Sequence, residues 1–158
     1  MEGLDPLLAE HPFLRTLNAA HIRTVAGCAK NERFEPGQFL FREGEEADQF
    51  FVIRHGMVAI EIGAPPRGVV TVQTWTDGEI LGWSWLLPPY RWRSSAKATE
   101  LTRAIVLDGK CLRQKCEADH DLGYELLRSF ADVLARRLDL AYMQLLDLYA
   151  NEPAARHL

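Results

Sequence analysis

The sequence predicts an α+β protein: short N-terminal helices, an antiparallel β-roll or sandwich, and a long C-terminal helix. Three observations carry this. Apolar residues from Phe13 to Ala26 recur at helical spacing. From Asn31 the pattern changes to short extended segments punctuated by glycine turns at roughly ten-residue intervals. After Leu107 the periodicity becomes helical again and ends in a heptad pattern.

The N-terminal stretch "PFLRTLNAAHIRTVAGCA" places Phe13, Leu14, Leu17, Ile22, Val25 and Ala26 on one side, with a break near Asn18. That spacing predicts two short helices. The next segment, "RFEPGQFLFREGEEADQFFVIRHGMVAIEIG", has Pro36-Gly37, Gly44 and His55-Gly56 between extended apolar runs. "GVVTVQTWTDGEIL" alternates at Val70, Val72 and Thr74 before the turn Asp77-Gly78, and "SSAKATELTRAIVLD" supplies two more strands. Asp108 is the expected N-cap of "GKCLRQKCEA". His120 or Asp121 then opens a helix of about 28 residues, ~42 Å long at 1.5 Å per residue. Leu134, Leu138, Ala141, Leu145 and Leu148 follow one another at intervals of 4, 3, 4 and 3. Such a seam suits a homodimer; packing of the helix back on the sheet is the alternative.

Composition narrows the function classes. The 158 residues, 47% hydrophobic and 25% charged, suit one globular domain with a real core. Its segments are 1–30 (helices), 31–107 (roll), 108–149 (helices) and 150–158 (tail). A net charge of −4 provides no basic field for nucleic acid. Only nine residues follow Tyr149, too few for a helix-turn-helix, so direct DNA binding is not expected. The start of the chain lacks a secretory pattern, and no apolar run nears the ~18 residues that span a bilayer. Cys28, Cys111 and Cys116 are odd in number, without a scaffold pattern, and are expected as free thiols in a reducing cytoplasm. Of five histidines only His55 falls in the roll, so no facial His/carboxylate metal set forms. Walker, GxGxxG and Ser-His-Asp patterns are absent, and the expectation is a non-enzyme with no obligatory cofactor.

"GEILGWSWLLPPYRWRSS", from Gly78 to Ser95, holds three tryptophans and two arginines. Together with "FEPGQFLFREGEEADQFFVIRHGMVAI" and "ADVLARRL", it resembles the cyclic-nucleotide-binding domain of catabolite-activator-like regulators and gated channels, over about residues 12–149. The resemblance implies a β-roll of double-stranded β-helix (jelly-roll) type, a dimerisation-type C-terminal helix, and a sensor that signals through it. It also implies an anionic ligand, cAMP or cGMP being possible, in a phosphate cassette with a short helix. Helix-start amides bind anions, and an arginine fork matches phosphate oxygens.

On this alignment Gly82 matches the cassette glycine and Ser84 continues it. Arg93 stands at the phosphate-binding arginine, Ser94 at the hydroxyl beside it, and Ser95 follows. Trp83 stands where the family has its ribose-binding Glu, and Glu79 comes four residues too early to replace it. A charged hydrogen bond to a hydroxyl is worth ~1.5–3 kcal/mol. An indole stacked on a base contributes ~1–3 kcal/mol. Trp83 therefore either fills the ribose space or stacks on a ligand. Anchoring on Ala135-Arg136-Arg137-Leu138 puts Ala141 and Tyr142 where the family contacts the purine, and only Tyr142 can hydrogen-bond or stack there. The alternative function is a degenerate member whose tryptophans fill the pocket and whose role is dimerisation or partner docking.

Overall fold

The computed structural model describes residues 3–151. Eight strands form two four-stranded antiparallel sheets, flanked by two helices before them and two after. The first sheet has the order β1 (Ala29–Phe34), β8 (Thr102–Asp108), β3 (Gln49–His55), β6 (Ile80–Leu81). The second has the order β2 (Phe39–Phe41), β7 (Ser95–Ala98), β4 (Val58–Gly63), β5 (Val69–Trp75). The sheets face one another as the expected jelly-roll.

Strand β3 shows how the core is divided. Successive side chains point to opposite faces. Phe50 and Val52 pack under the helices with Leu112, Leu122, Leu126 and Phe130. Phe51 and Ile53 enter the space between the sheets with Phe34, Phe41 and Val58. A strand covered on both faces reads as an unbroken apolar run, which is the "FFVI" of the sequence.

The helices differ from expectation in detail. Helix α1 spans Asp5–Glu10, earlier than the periodicity suggested, and residues 11–17 form turns before α2 (Ala19–Ala26). Asn18 caps α2 by accepting from the His21 amide at 2.8 Å. Asp108 caps α3 (Gly109–Ala118) as expected, accepting from the Cys111 amide at 3.0 Å. Helix α4 runs from His120 to Ala150, 31 residues, with Asp119 as its N-cap. Most of the tail expected over 150–158 lies outside the described residues. None of the described helices is long and apolar enough to cross a membrane.

The cysteine expectation is corrected. Cys28 and Cys111 are joined in a disulfide, and Cys116 alone is free. The pairing is invisible in sequence because the partners are 83 residues apart. Strand β1 begins beside the end of β8, with Ala29 opposite Leu107 and the Asp108 amide donating to the Cys28 carbonyl at 2.8 Å. The first turn of α3 then carries Cys111 back over Cys28. With a disulfide present, cysteine usage no longer argues for a reducing compartment.

Candidate functional site

The segment between β6 and β7 leaves the first sheet at Leu81 and enters the second at Ser95. On the way it forms turns, with the Leu86 amide bonded to the Trp83 carbonyl and the Tyr90 amide to the Leu87 carbonyl. No helix forms there. The expected cassette helix, and the amides its start would offer, are therefore absent. The physical reason is Pro88 and Pro89, which lack the donors a helical turn needs. The chain then pairs with the β2–β3 loop: the Trp92 amide donates to the Glu45 carbonyl and the Gly44 amide to the Trp92 carbonyl.

Gly82 has φ +88°, and a Cβ there would meet the Trp92 ring at 2.7 Å. Only glycine permits this backbone under the indole. Trp92, buried, stacks on Phe41 with centroids 3.8 Å apart. Trp85, also buried, stacks on Phe50 at 5.1 Å and meets the edge of Phe130 of α4 at 5.5 Å. Trp83 is only half-buried, with the Arg93 guanidinium 4.8 Å from its ring centroid.

Gly82, Trp83, Trp92 and Arg93, but not Trp85, border a cavity of about 340 Å³, a size at the low end of small-molecule sites, ~300–1,000 Å³. Gly82, Trp83, Ser84, Arg93 and Ser94 form one side. Phe41, Ile60, Ile62 and Leu81 line it as well, as do Trp75 and Gln73 of β5. Helix α4 adds Arg137, Ala141 and Gln144. Arg137 donates to the Ile80 carbonyl, lies 3.7 Å from the Glu79 carboxylate, and covers the Trp75 ring at 4.5 Å. Burial lowers the Arg137 pKa from the ordinary arginine value, and the Glu79 charge works against that shift.

Five of the seven sequence-derived site residues meet at this cavity: Gly82, Trp83, Ser84, Arg93 and Ser94. The other two do not. Ser95 starts β7, and its Oγ accepts from the Glu43 amide at 2.9 Å. Tyr142 is 55% exposed, turned away from the roll. Successive helical residues are 100° apart, so a helix that presents Ala141 to the cavity carries Tyr142 outward. Sequence reasoning missed Arg137, Gln144, Gln73 and Trp75 as lining residues. The signal for the α4 pair was available: Arg137, Ala141 and Gln144 continue the stripe of Leu122, Leu126, Phe130 and Val133, which pack inward.

A jelly-roll with this segment between its sheets defines a class, and sequence comparison gives the family. The pattern of the cyclic nucleotide-binding domain matches residues 31–119, and the chain belongs to that family. A Rhodopseudomonas palustris protein named for a potassium channel is 31% identical over 107 residues, covering 68% of this chain and 26% of its own length. The CRP-like cAMP-activated global transcriptional regulator of Mycobacterium tuberculosis is 26% identical over 153 residues, covering 97% of this chain and 66% of its own. The chain thus spans about a quarter to two thirds of these curated relatives. A crystal structure of a cyclic nucleotide-binding domain from Methylobacillus flagellatus superposes with a TM-score of 0.81 at 20% identity, covering 93% of this chain and 86% of that one. The family and these relatives are named for binding, transport and regulation, not for catalysis.

Proposed function

We propose that the protein is a sensor module that binds a small organic anion in the cavity at Arg93 and signals through α4. The observation that carries this is that the cavity has both parts in its wall. Arg93 and Ser94 stand on the segment that leads into β7, and Arg137, Ala141 and Gln144 stand on α4. A ligand that spans the cavity touches both, so its binding energy can differ between two positions of the helix, which is what a population shift requires. Trp85 supplies a second link, since it packs on Phe130 and its carbonyl accepts from Arg113 of α3. The M. tuberculosis relative is named as cAMP-activated, which makes cAMP and cGMP the first ligands to try.

The output side of this reading is a homodimer through α4. Leu138, Leu145 and Leu148, three members of the heptad seam, are each at least half exposed. Exposed apolar side chains at heptad spacing favour a second helix of the same kind. Ala141, also in the seam, lines the cavity, so dimer and ligand share a border. No direct contact with nucleic acid or membrane enters this reading.

Titration calorimetry with cAMP and cGMP, with Arg93→Ala as control, tests ligand binding. Binding in the micromolar range, weakened at least tenfold by the substitution, is the expected outcome; heat that Arg93→Ala leaves unchanged defeats it. For the output, sedimentation equilibrium is expected to give a dimer that Leu138→Glu/Leu145→Glu converts to monomer. A wild-type monomer at 100 μM (a ~10⁻⁴ M ceiling on useful affinity) would remove the dimer from the reading.

One observation favours a second reading, a non-binding interaction module. Arg93 has the Trp83 ring as its partner, and a cation–π contact is worth about 0.5–2 kcal/mol. An Arg93 held there through saturating nucleotide, seen as an unshifted guanidinium resonance, would support it.

A further inference from the structure

We infer that the cavity prefers an organic anion with a flat apolar body and no sugar hydroxyls, and that Trp83 sets this preference. The inference rests on the anion-binding reading above and specifies its ligand class. Three observations carry it.

The first is charge. None of the residues that line the cavity is Asp or Glu, and two are arginines. Arg137 has Glu79 3.7 Å away. Arg93 has no carboxylate partner among the described residues; its neighbour is the uncharged indole of Trp83. One positive charge at the cavity is thus left for an anionic group, and a guanidinium accepts carboxylate and phosphate alike.

The second is the wall. Phe41, Ile60, Ile62 and Leu81 supply aliphatic and aromatic surface, and the indoles of Trp75 and Trp83 each lie against a guanidinium. A flat ring can slide onto either indole, with stacking worth about 5- to 150-fold in affinity for a nucleobase-like ring.

The third is the set of acceptors. Gln73, Gln144, Ser84 and Ser94 are neutral. They can accept a hydroxyl's hydrogen bond, but no carboxylate lines the cavity to make the stronger charge-assisted one, a difference of about fivefold in affinity. A sugar ring brings such hydroxyls to a surface that rewards carbon.

The test compares two monoanions, 2-naphthoate and cAMP, by calorimetry on the full chain. Wild-type protein is expected to bind 2-naphthoate at least tenfold more tightly than cAMP, and Arg93→Ala to weaken 2-naphthoate at least tenfold. Trp83→Glu, which sets a carboxylate beside Arg93 and removes the indole, is expected to reverse the order. Circular dichroism melts establish that the variants fold. Should Trp83→Glu not fold, Trp83→Gln takes its place, with the preference for 2-naphthoate expected to fall at least fivefold. If cAMP equals or exceeds 2-naphthoate on wild type and Arg93→Ala abolishes its binding, the anion site stands and the ligand class is overturned. If neither compound binds wild type or the folded Trp83 variant at 1 mM (a ~10⁻³ M limit), the anion site itself fails. Naphthoate binding indifferent to Arg93→Ala also overturns the inference, since the dye-like ring alone would then explain it.

Discussion

Trp83 and Trp85 are two residues apart in one turn and meet different surroundings. Trp85 is fully buried between Phe50 and Phe130, and Gly109 of α3 lies so close that a Cβ there would stand 2.9 Å from the Trp85 Cβ. Trp83 borders the cavity with an arginine over its face. Both indoles pack against the core under the helices, but Trp85 lies wholly inside it while Trp83 is only partly buried at its edge, where it borders the cavity. The lesson is that an aromatic-rich stretch need not have one role. Here its first indole belongs to the site and its second to the joint that holds the helices.

The largest effect that would separate the two is on stability. Trp85→Ala is expected to cost about 3–5 kcal/mol, as for other buried large aromatic residues. At roughly 2–4 °C per kcal/mol for a chain of this size, the melting temperature falls by about 6–20 °C. Trp83→Ala is expected to cost clearly less, about 1–2 kcal/mol, because its ring is only partly buried at the edge of the core. Equal losses at the two positions would break the comparison. Trp85→Phe sharpens it: the indole N–H of Trp85 is buried without a hydrogen-bond partner among the described residues. Such an orphan costs about 1–3 kcal/mol. Phenylalanine removes it, and its smaller ring is expected to melt well above the alanine variant.

The next effect is on the covalent tie. The disulfide Cys28–Cys111 fastens α3, the helix that holds the Trp85 carbonyl through Arg113, to the beginning of β1. A link across 83 residues removes chain entropy worth up to about 4.5 kcal/mol, and native disulfides typically contribute about 2–4 kcal/mol. Dithiothreitol, or Cys28→Ser with Cys111→Ser, is expected to lower the melting temperature while leaving ligand affinity at Arg93 within about twofold. Three titratable thiols in the untreated folded protein would show that the link does not form. A loss of affinity as large as the loss of stability would mean the two halves of the turn are not separable.

Much of the fold was legible in the sequence, and the reasons are local. The glycine turns, the alternation, the cap at Asp108 and the break near Asn18 depend on neighbours a few residues away, and the roll and its flanking helices follow from them. The family resemblance located Gly82 and Arg93, which meet at the cavity. What could not be read depends on distant pairs. The rotation of α4, which turns Ala141 in and Tyr142 out, is set by Phe130 and Val133 packing on a core assembled from both ends of the chain. The Glu79–Arg137 pair and the Cys28–Cys111 link join segments that are close only after folding. Nor does a motif comparison reveal that two prolines leave the cassette without its helix.

The smallest expected effect is a pH dependence at the joint between α3 and α4. Asp119 accepts from the amides of Asp121 and Leu122 at the start of α4 and lies 3.0 Å from His21 of α2. The Leu122 amide bond holds its carboxyl below the usual aspartate range, burial works against this, and the His21 contact adds to the lowering. A carboxyl lowered on folding stabilises the native state above its unfolded value, near 3.8, and the contribution is lost as pH falls through the lowered folded value. Asp77, which accepts from the Gly56 amide, and Glu46, paired with Lys110, are shifted the same way and titrate in both proteins to be compared. The difference between wild type and Asp119→Asn therefore isolates the cap. Asparagine still accepts the two amide bonds but carries no proton to gain. Melting temperatures followed from pH 6 to pH 2.5 (a window around the ~3.9 reference of a free aspartate) are expected to fall more steeply for wild type below about pH 4. Parallel curves would show that the carboxylate charge contributes nothing at this joint, and that apolar packing and the disulfide hold the helices.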